Sequence, residues 1–219
     1  MIGLVVVSHS RQLAFGVAEL AGQMAPSVKI VPSGGDGMGG LGTSYEAVGE
    51  AISQADSGAG VVVLFDLGSA KMVADMAAEE AAGSVMVVDA PLVEGAVAAA
   101  VRAQGGAGLP EVAAAAVSAG GGGQDSVEVG GDVVRAEVSL TNSVGLHARP
   151  AALVARALAS LDAAVVVRFG EEEADAKSVL ALMGLGAPGG ARIEVAASGA
   201  DAAEAVRRVE ELAARRFDE

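Results

Sequence analysis

Apolar residues along the first half of the chain fall into two kinds of pattern. Residues 2–7 and 60–65 are unbroken apolar runs, the mark of strands buried on both faces. Residues 28–31 and 84–88 predict two further strands. Between them the apolar positions recur at helical spacing, which predicts helices over 10–24, 43–56, 69–81, 91–103 and 111–118. Thr43 or Ser44 is placed to cap the second of these, with Glu46 spaced for a capping box with Thr43. Strands alternating with helices predict an α/β fold, an open parallel sheet covered by helices on both faces.

The pattern then breaks. The run Ala119-Gly120-Gly121-Gly122-Gly123-Gln124-Asp125-Ser126 has the composition of a flexible linker. Four of the fourteen basic residues precede it and ten follow it, so the flanks read as separate domains, 1–118 and 132–219, joined by 119–131. In the second domain, strands over 133–140, 164–169 and 191–197 mix with helices over 147–160, 177–183 and 202–216. Glu171, Glu172 and Glu173 read as a solvated turn or short hairpin. This order predicts an α+β open-faced sandwich, helices on one face of an antiparallel sheet.

Composition narrows the chemistry. The chain has 219 residues and 52% hydrophobic content, but only 2% aromatics, so its core is built from Ala, Val and Leu and base stacking is not expected. A net charge of −14 argues against nucleic acid and anionic membrane surfaces. The absence of cysteine removes disulfides, thiolate nucleophiles and Cys-ligated zinc. No apolar run is long enough to span a bilayer, and residues 1–7 are too short for a signal sequence, so a cytoplasmic protein is expected.

Histidine chemistry must run through His9 and His147, as the chain has no other histidine. His147 lies in Gly145-Leu146-His147-Ala148-Arg149-Pro150-Ala151. Pro150 suits the first turn of a helix, where an N–H would have no partner. The N–H groups of Ala148 and Arg149 then face whatever sits on the imidazole, at the positive end of the helix dipole. That is an anion site beside a nucleophile. His9 follows the first strand and Asp66 the third, at the strand ends where open α/β sheets collect their chemistry. An aspartate bonded to one ring nitrogen fixes the tautomer and frees the other nitrogen. On the residues alone, capping roles remain open for both. Gly35-Asp36-Gly37-Met38-Gly39-Gly40 has the spacing of a dinucleotide fingerprint, but its glycines do not open a helix directly, and it reads as a loop. No P-loop occurs.

The His147 motif, with Lys177-Ser178-Val179-Leu180-Ala181-Leu182-Met183-Gly184-Leu185-Gly186, resembles the histidine phosphocarrier protein (HPr) family over residues 132–217. The resemblance implies that His147 carries a phosphoryl group, with Arg149 and the Ala148 N–H steadying it. Ser178 falls on a position modified by a kinase in some members; an N-cap or surface hydroxyl is the reading favoured here. The first domain resembles the phosphotransfer subunits of bacterial dihydroxyacetone kinases, which have the mannose-type IIA fold. The matching pieces are Val7-Ser8-His9-Ser10, Gly42-Thr43-Ser44, Phe65-Asp66-Leu67-Gly68-Ser69-Ala70 and Ala90-Pro91-Leu92-Val93-Glu94-Gly95-Ala96. The resemblance implies that His9 is phosphorylated, that Asp66 orients it, and that Ser10, Gly42, Thr43, Gly68 and Ser69 surround the phosphoryl group.

Together the two resemblances imply a phosphoryl relay. Phosphoenolpyruvate, through a separate enzyme I, would phosphorylate His147. His9 would receive the group and pass it to ADP on a nucleotide-binding subunit, which with a dihydroxyacetone-binding subunit phosphorylates dihydroxyacetone. No bound cofactor or metal is expected. The IIA resemblance implies a homodimer through the first domain. A fusion feeding a sugar transporter, a module whose phosphorylation state a regulator reads, and a scaffold indifferent to both histidines are the alternatives.

Overall fold

The computed structural model describes residues 1–119 and 132–218. Internal packing separates the chain into two compact units, Met1–Gly121 and Gly122–Glu219. The expected linker lies, from residue 120 to 131, outside the described residues.

The first unit runs β1 (Gly3–Ser8), α1 (Arg11–Met24), β2 (Ile30–Gly34), α2 (Tyr45–Ala55), β3 (Val61–Phe65), α3 (Gly68–Glu79), β4 (Val85–Val88), α4 (Leu92–Gln104) and α5 (Leu109–Ser118). The sheet is parallel, in the order β2-β1-β3-β4. β1 and β3 are central and buried throughout, as their unbroken apolar runs predict. Alternate residues of these strands serve opposite faces. Val5, Val7, Val63 and Phe65 pack with Val48, Ile52, Ala70 and Ala74 of α2 and α3. Leu4, Val6, Val62 and Leu64 are fully buried on the other face, where α1, α4 and α5 lie. β4 has a single neighbour, and its Met86 is exposed.

The chain leaves β1 for β2 on one side and crosses to β3 on the other. The order therefore reverses between β1 and β3, and a crevice opens at their carboxyl ends. This is what brings residues 9 and 66 together.

α2 starts later than its apolar period suggests. Ser44 caps it, accepting the Ala47 N–H at 3.3 Å, and donates its hydroxyl to Glu46 Oε2 at 3.0 Å. The expected box between Thr43 and Glu46 does not form: Ser44 is the cap, and the Thr43 backbone bridges to Gly35.

The second unit runs β5 (Val134–Ser139), α6 (Ala148–Leu158), β6 (Ala164–Phe169), β7 (Glu172–Asp175), α7 (Val179–Gly184), β8 (Arg192–Ser198) and α8 (Ala202–Ala214). Its antiparallel sheet has the order β5-β8-β6-β7. Helices cover one face; the other carries cross-strand charges, Arg168 with Glu173 and Glu194, and Arg192 with Glu137. The glutamate run is a hairpin: Gly170 turns at φ 64° and Glu172 pairs with Phe169. The last helix ends at Ala214, short of its amphipathic pattern. Arg216–Asp218 turn back with positive φ, and this reversal buries Phe217 completely.

Candidate functional site

The crevice between β1 and β3 holds His9 and Asp66, with side chains about a quarter and an eighth exposed. Asp66 Oδ1 stands 2.9 Å from His9 Nδ1. Its Oδ2 accepts the His9 backbone N–H at 2.9 Å and the Ser8 hydroxyl at 2.8 Å. Partial burial alone would raise the Asp66 carboxyl. The His9 backbone N–H, the His9 ring and the Ser8 hydroxyl outweigh it and hold the group below the ordinary carboxylate range. An ionised carboxylate only accepts, so Nδ1 carries the ring proton. In the neutral ring Nε2 is then the bare nitrogen, and the Ser69 hydroxyl, 2.8 Å away, donates to it.

Ser69 sits in the first turn of α3, which begins at Gly68 after an extended Leu67. The Ala70 and Lys71 N–H groups both turn back to the Leu67 carbonyl. Those of Gly68 and Ser69 have no acceptor within the helix. The bare nitrogen of His9 therefore meets the Ser69 hydroxyl in the first turn of a helix. A neutral nucleophile there would become anionic on taking a phosphoryl group, and this is where such a charge is stabilised.

The other expected residues of this unit lie in the loops beside the crevice. Ser10 caps α1, accepting the Leu13 N–H at 3.3 Å. The Gly42 N–H donates to the His9 carbonyl at 3.0 Å. Gly42 has φ 155°, and an added Cβ would press on Asp36 at 3.1 Å. Thr43 is half-buried in its bridge to Gly35. The glycine-rich loop is pinned from within: Asp36 Oδ1 accepts the Met38 and Gly40 N–H groups, each at 2.8 Å. These backbone bonds hold the half-buried Asp36 carboxyl below its usual range.

The second unit builds its histidine site differently. His147 is exposed and extended, with φ −73° and ψ −179°, and α6 starts at Ala148. Its side chain makes no capping hydrogen bond. The Ala148 and Arg149 N–H groups lie in the first turn, where no intrahelical acceptor exists, and Pro150 has no N–H at all. Pro150 is buried and Arg149 exposed. The loop before His147 is clamped. The buried Asn142 donates through Nδ2 to the Gly145 carbonyl at 2.9 Å, and the Leu146 N–H donates to Ala187 at 3.0 Å. Gly145 has φ 72°, and a Cβ there would lie 2.1 Å from the Ala187 carbonyl oxygen. Ser178 caps α7, accepting the Ala181 N–H at 3.2 Å.

Sequence reasoning missed Ser8 and Asn142. A strand-ending serine and a loop asparagine look like ordinary turn residues; only the tertiary structure shows them buried.

Two histidines at two helix starts, on an α/β unit and an open-faced sandwich, define a two-domain protein of the phosphotransferase system. Residues 3–113 match the family described as the PTS system fructose IIA component, and residues 134–215 the PTS HPr component phosphorylation site. The chain belongs to the family of phosphoryl donor subunits DhaM of PEP-dependent dihydroxyacetone kinases. It is 35% identical to such a subunit from Providencia stuartii over 243 aligned residues, 99% of this chain and 50% of that one. The corresponding subunit 1 from Listeria innocua is 39% identical over 104 residues, 47% of this chain and 82% of its own. Phosphocarrier protein NPr from Escherichia coli is 41% identical over 87 residues, 39% of this chain and 97% of its own. The chain spans about half the length of the curated relatives it matches along its whole length.

Proposed function

We propose that the chain is a phosphoryl relay that feeds a dihydroxyacetone kinase, a phosphocarrying subunit of a phosphoenolpyruvate–glycerone phosphotransferase. Phosphoenolpyruvate supplies the group through enzyme I, His147 accepts it, and His9 takes it from His147. The observation that carries this reading is the line Asp66–His9–Ser69, which leaves Nε2 bare against a helix start. In the transfer, the Nε2 lone pair attacks phosphorus. The P–N bond to the His147 ring breaks and returns its electron pair to that ring. Arg149 and the α6 start stabilise the charge before transfer, and Ser69 with the α3 start stabilises it after.

His9 then passes the group to a β-phosphate oxygen of ADP held by the nucleotide-binding subunit. The P–N bond breaks toward Nε2, and the ATP formed phosphorylates dihydroxyacetone on the third subunit. The names of the relatives, phosphoryl donor subunits of PEP-dependent dihydroxyacetone kinases, support a dihydroxyacetone kinase as the destination. No bound cofactor or metal has a step in this scheme. A cytoplasmic setting and a homodimer through the N-terminal unit complete the reading. No helix among the described residues is long and apolar enough to cross a membrane.

The test presents the phosphorylated protein to the nucleotide-binding subunit loaded with ADP. ATP should form with the wild type and not with His9→Ala. Transfer to free ADP without that subunit, or to a mannose-family transporter in its place, would overturn the proposed acceptor.

A further inference from the structure

Ser8 ends β1 with a side chain that solvent does not reach. A buried hydroxyl is costly unless its donor and acceptor are both used. Both are used here. Ser8 Oγ accepts the Ser10 backbone N–H at 3.0 Å and donates to Asp66 Oδ2 at 2.8 Å. The direction is fixed, because an N–H only donates and a carboxylate only accepts. The hydroxyl proton is therefore committed to Asp66. Oδ2 also receives the His9 backbone N–H at 2.9 Å, so two donors saturate it. Oδ1 is left for the His9 ring.

We infer that Ser8 is a positioning residue for His9: by filling Oδ2 it aims Oδ1 at Nδ1 and keeps the ring in the tautomer that leaves Nε2 bare. The hydroxyl links three elements. It joins the start of α1, through the Ser10 N–H, to the end of β1 and to the carboxylate that follows β3. Without it, Asp66 keeps one donor on Oδ2 and gains freedom to rotate about its own side chain. The Nδ1 bond then lengthens or is shared, and the proton is free to move to Nε2, where it blocks attack on phosphorus. A chain of charge-assisted bonds of this kind strengthens each member.

The rate consequence rests on His9 being the phosphoryl acceptor; the tautomer consequence does not. The full-length chain, labelled with ¹⁵N, is compared as wild type, Ser8→Ala and Ser8→Cys by long-range ¹H–¹⁵N spectra of the His9 ring. Arrival of label at His9 from phosphoenolpyruvate and enzyme I is followed in parallel, with His147 labelling as the internal control. The wild type should show the Nδ1–H tautomer. Ser8→Ala should show a mixture and slow arrival at His9 by roughly tenfold or more, with His147 labelling unchanged. Ser8→Cys keeps the shape but weakens the donor, and should fall between the two. A wild-type tautomer and rate in either folded variant would overturn the inference. Loss of fold in both would assign Ser8 to the core and overturn it as well. An unlabelled His9 in the wild type would defeat the relay instead, and the tautomer spectra would still decide the role of Ser8.

Discussion

Asp66 keeps its charge in a half-closed crevice because three donors meet it there, two of them on one oxygen. Its carboxyl therefore titrates below the ordinary value of 3.8. The sign of the linkage follows: the stabilising contribution is complete above the ordinary carboxylate range and is lost as pH falls through the lower folded value. Asp66→Asn should accordingly flatten the acid limb of a stability–pH curve, measured by urea unfolding at stepped pH. An amide can also donate to Nδ1, which holds that nitrogen unprotonated and puts the ring proton on Nε2, so the same variant should slow transfer to His9 by roughly a hundredfold or more while staying folded. An unchanged acid limb, or full transfer, would contradict the roles given to this carboxylate. His9 and Asp66 stand out in the sequence because each follows an apolar run at a strand end, and His147 because Arg149 and Pro150 follow it at a helix start. Ser8 was not readable. Its importance comes from a partner 58 residues away, and nothing local distinguishes it from any serine that ends a strand.

Element by element, the unbroken apolar runs located β1 and β3, because central strands are buried on both faces, whereas the edge strand β2 runs over Ile30–Gly34 rather than 28–31. Ends were less legible. Thr43 and Ser44 are equally good caps in sequence, and the structure uses Ser44 while the Thr43 backbone bridges to Gly35. The C-terminal reversal at Arg216–Asp218 was hidden because it serves one side chain, Phe217. The start of α6 depends on the loop before it. Gly145 lies in the left-handed region and has the Ala187 carbonyl against it, so a side chain would strain the backbone and collide at once. Gly145→Ala should destabilise the second unit by about 2 kcal/mol or more. It should also slow phosphorylation of His147, since the loop that delivers the histidine to the helix start would shift. Urea unfolding and labelling by enzyme I check the two effects. A neutral substitution would mean that the clamp does not set the position of His147.

At the scale of the whole molecule, two units of different architecture each present a histidine at the start of a helix. The division was visible in the glycine run and in the uneven spread of basic residues. The two histidine sites differ in ways the proposed order uses. His147 is exposed with no side-chain partner at its cap, suited to meeting several proteins in turn. His9 is held by a carboxylate on one nitrogen and a serine on the other, suited to receiving a group and directing it onward. Covalent linkage keeps carrier and acceptor at an effective concentration of order millimolar when the connection is short and flexible.

The order of the relay is the central claim, and labelled phosphoenolpyruvate tests it most directly. Full-length wild type, His9→Ala and His147→Ala are each incubated with enzyme I and no other carrier protein, and the label is then assigned to either unit. Wild type should carry label on both histidines, and His9→Ala on His147 alone. His147→Ala should carry none. Label on His9 in the His147→Ala protein would show that the group enters by another route, and the relay as drawn would be wrong.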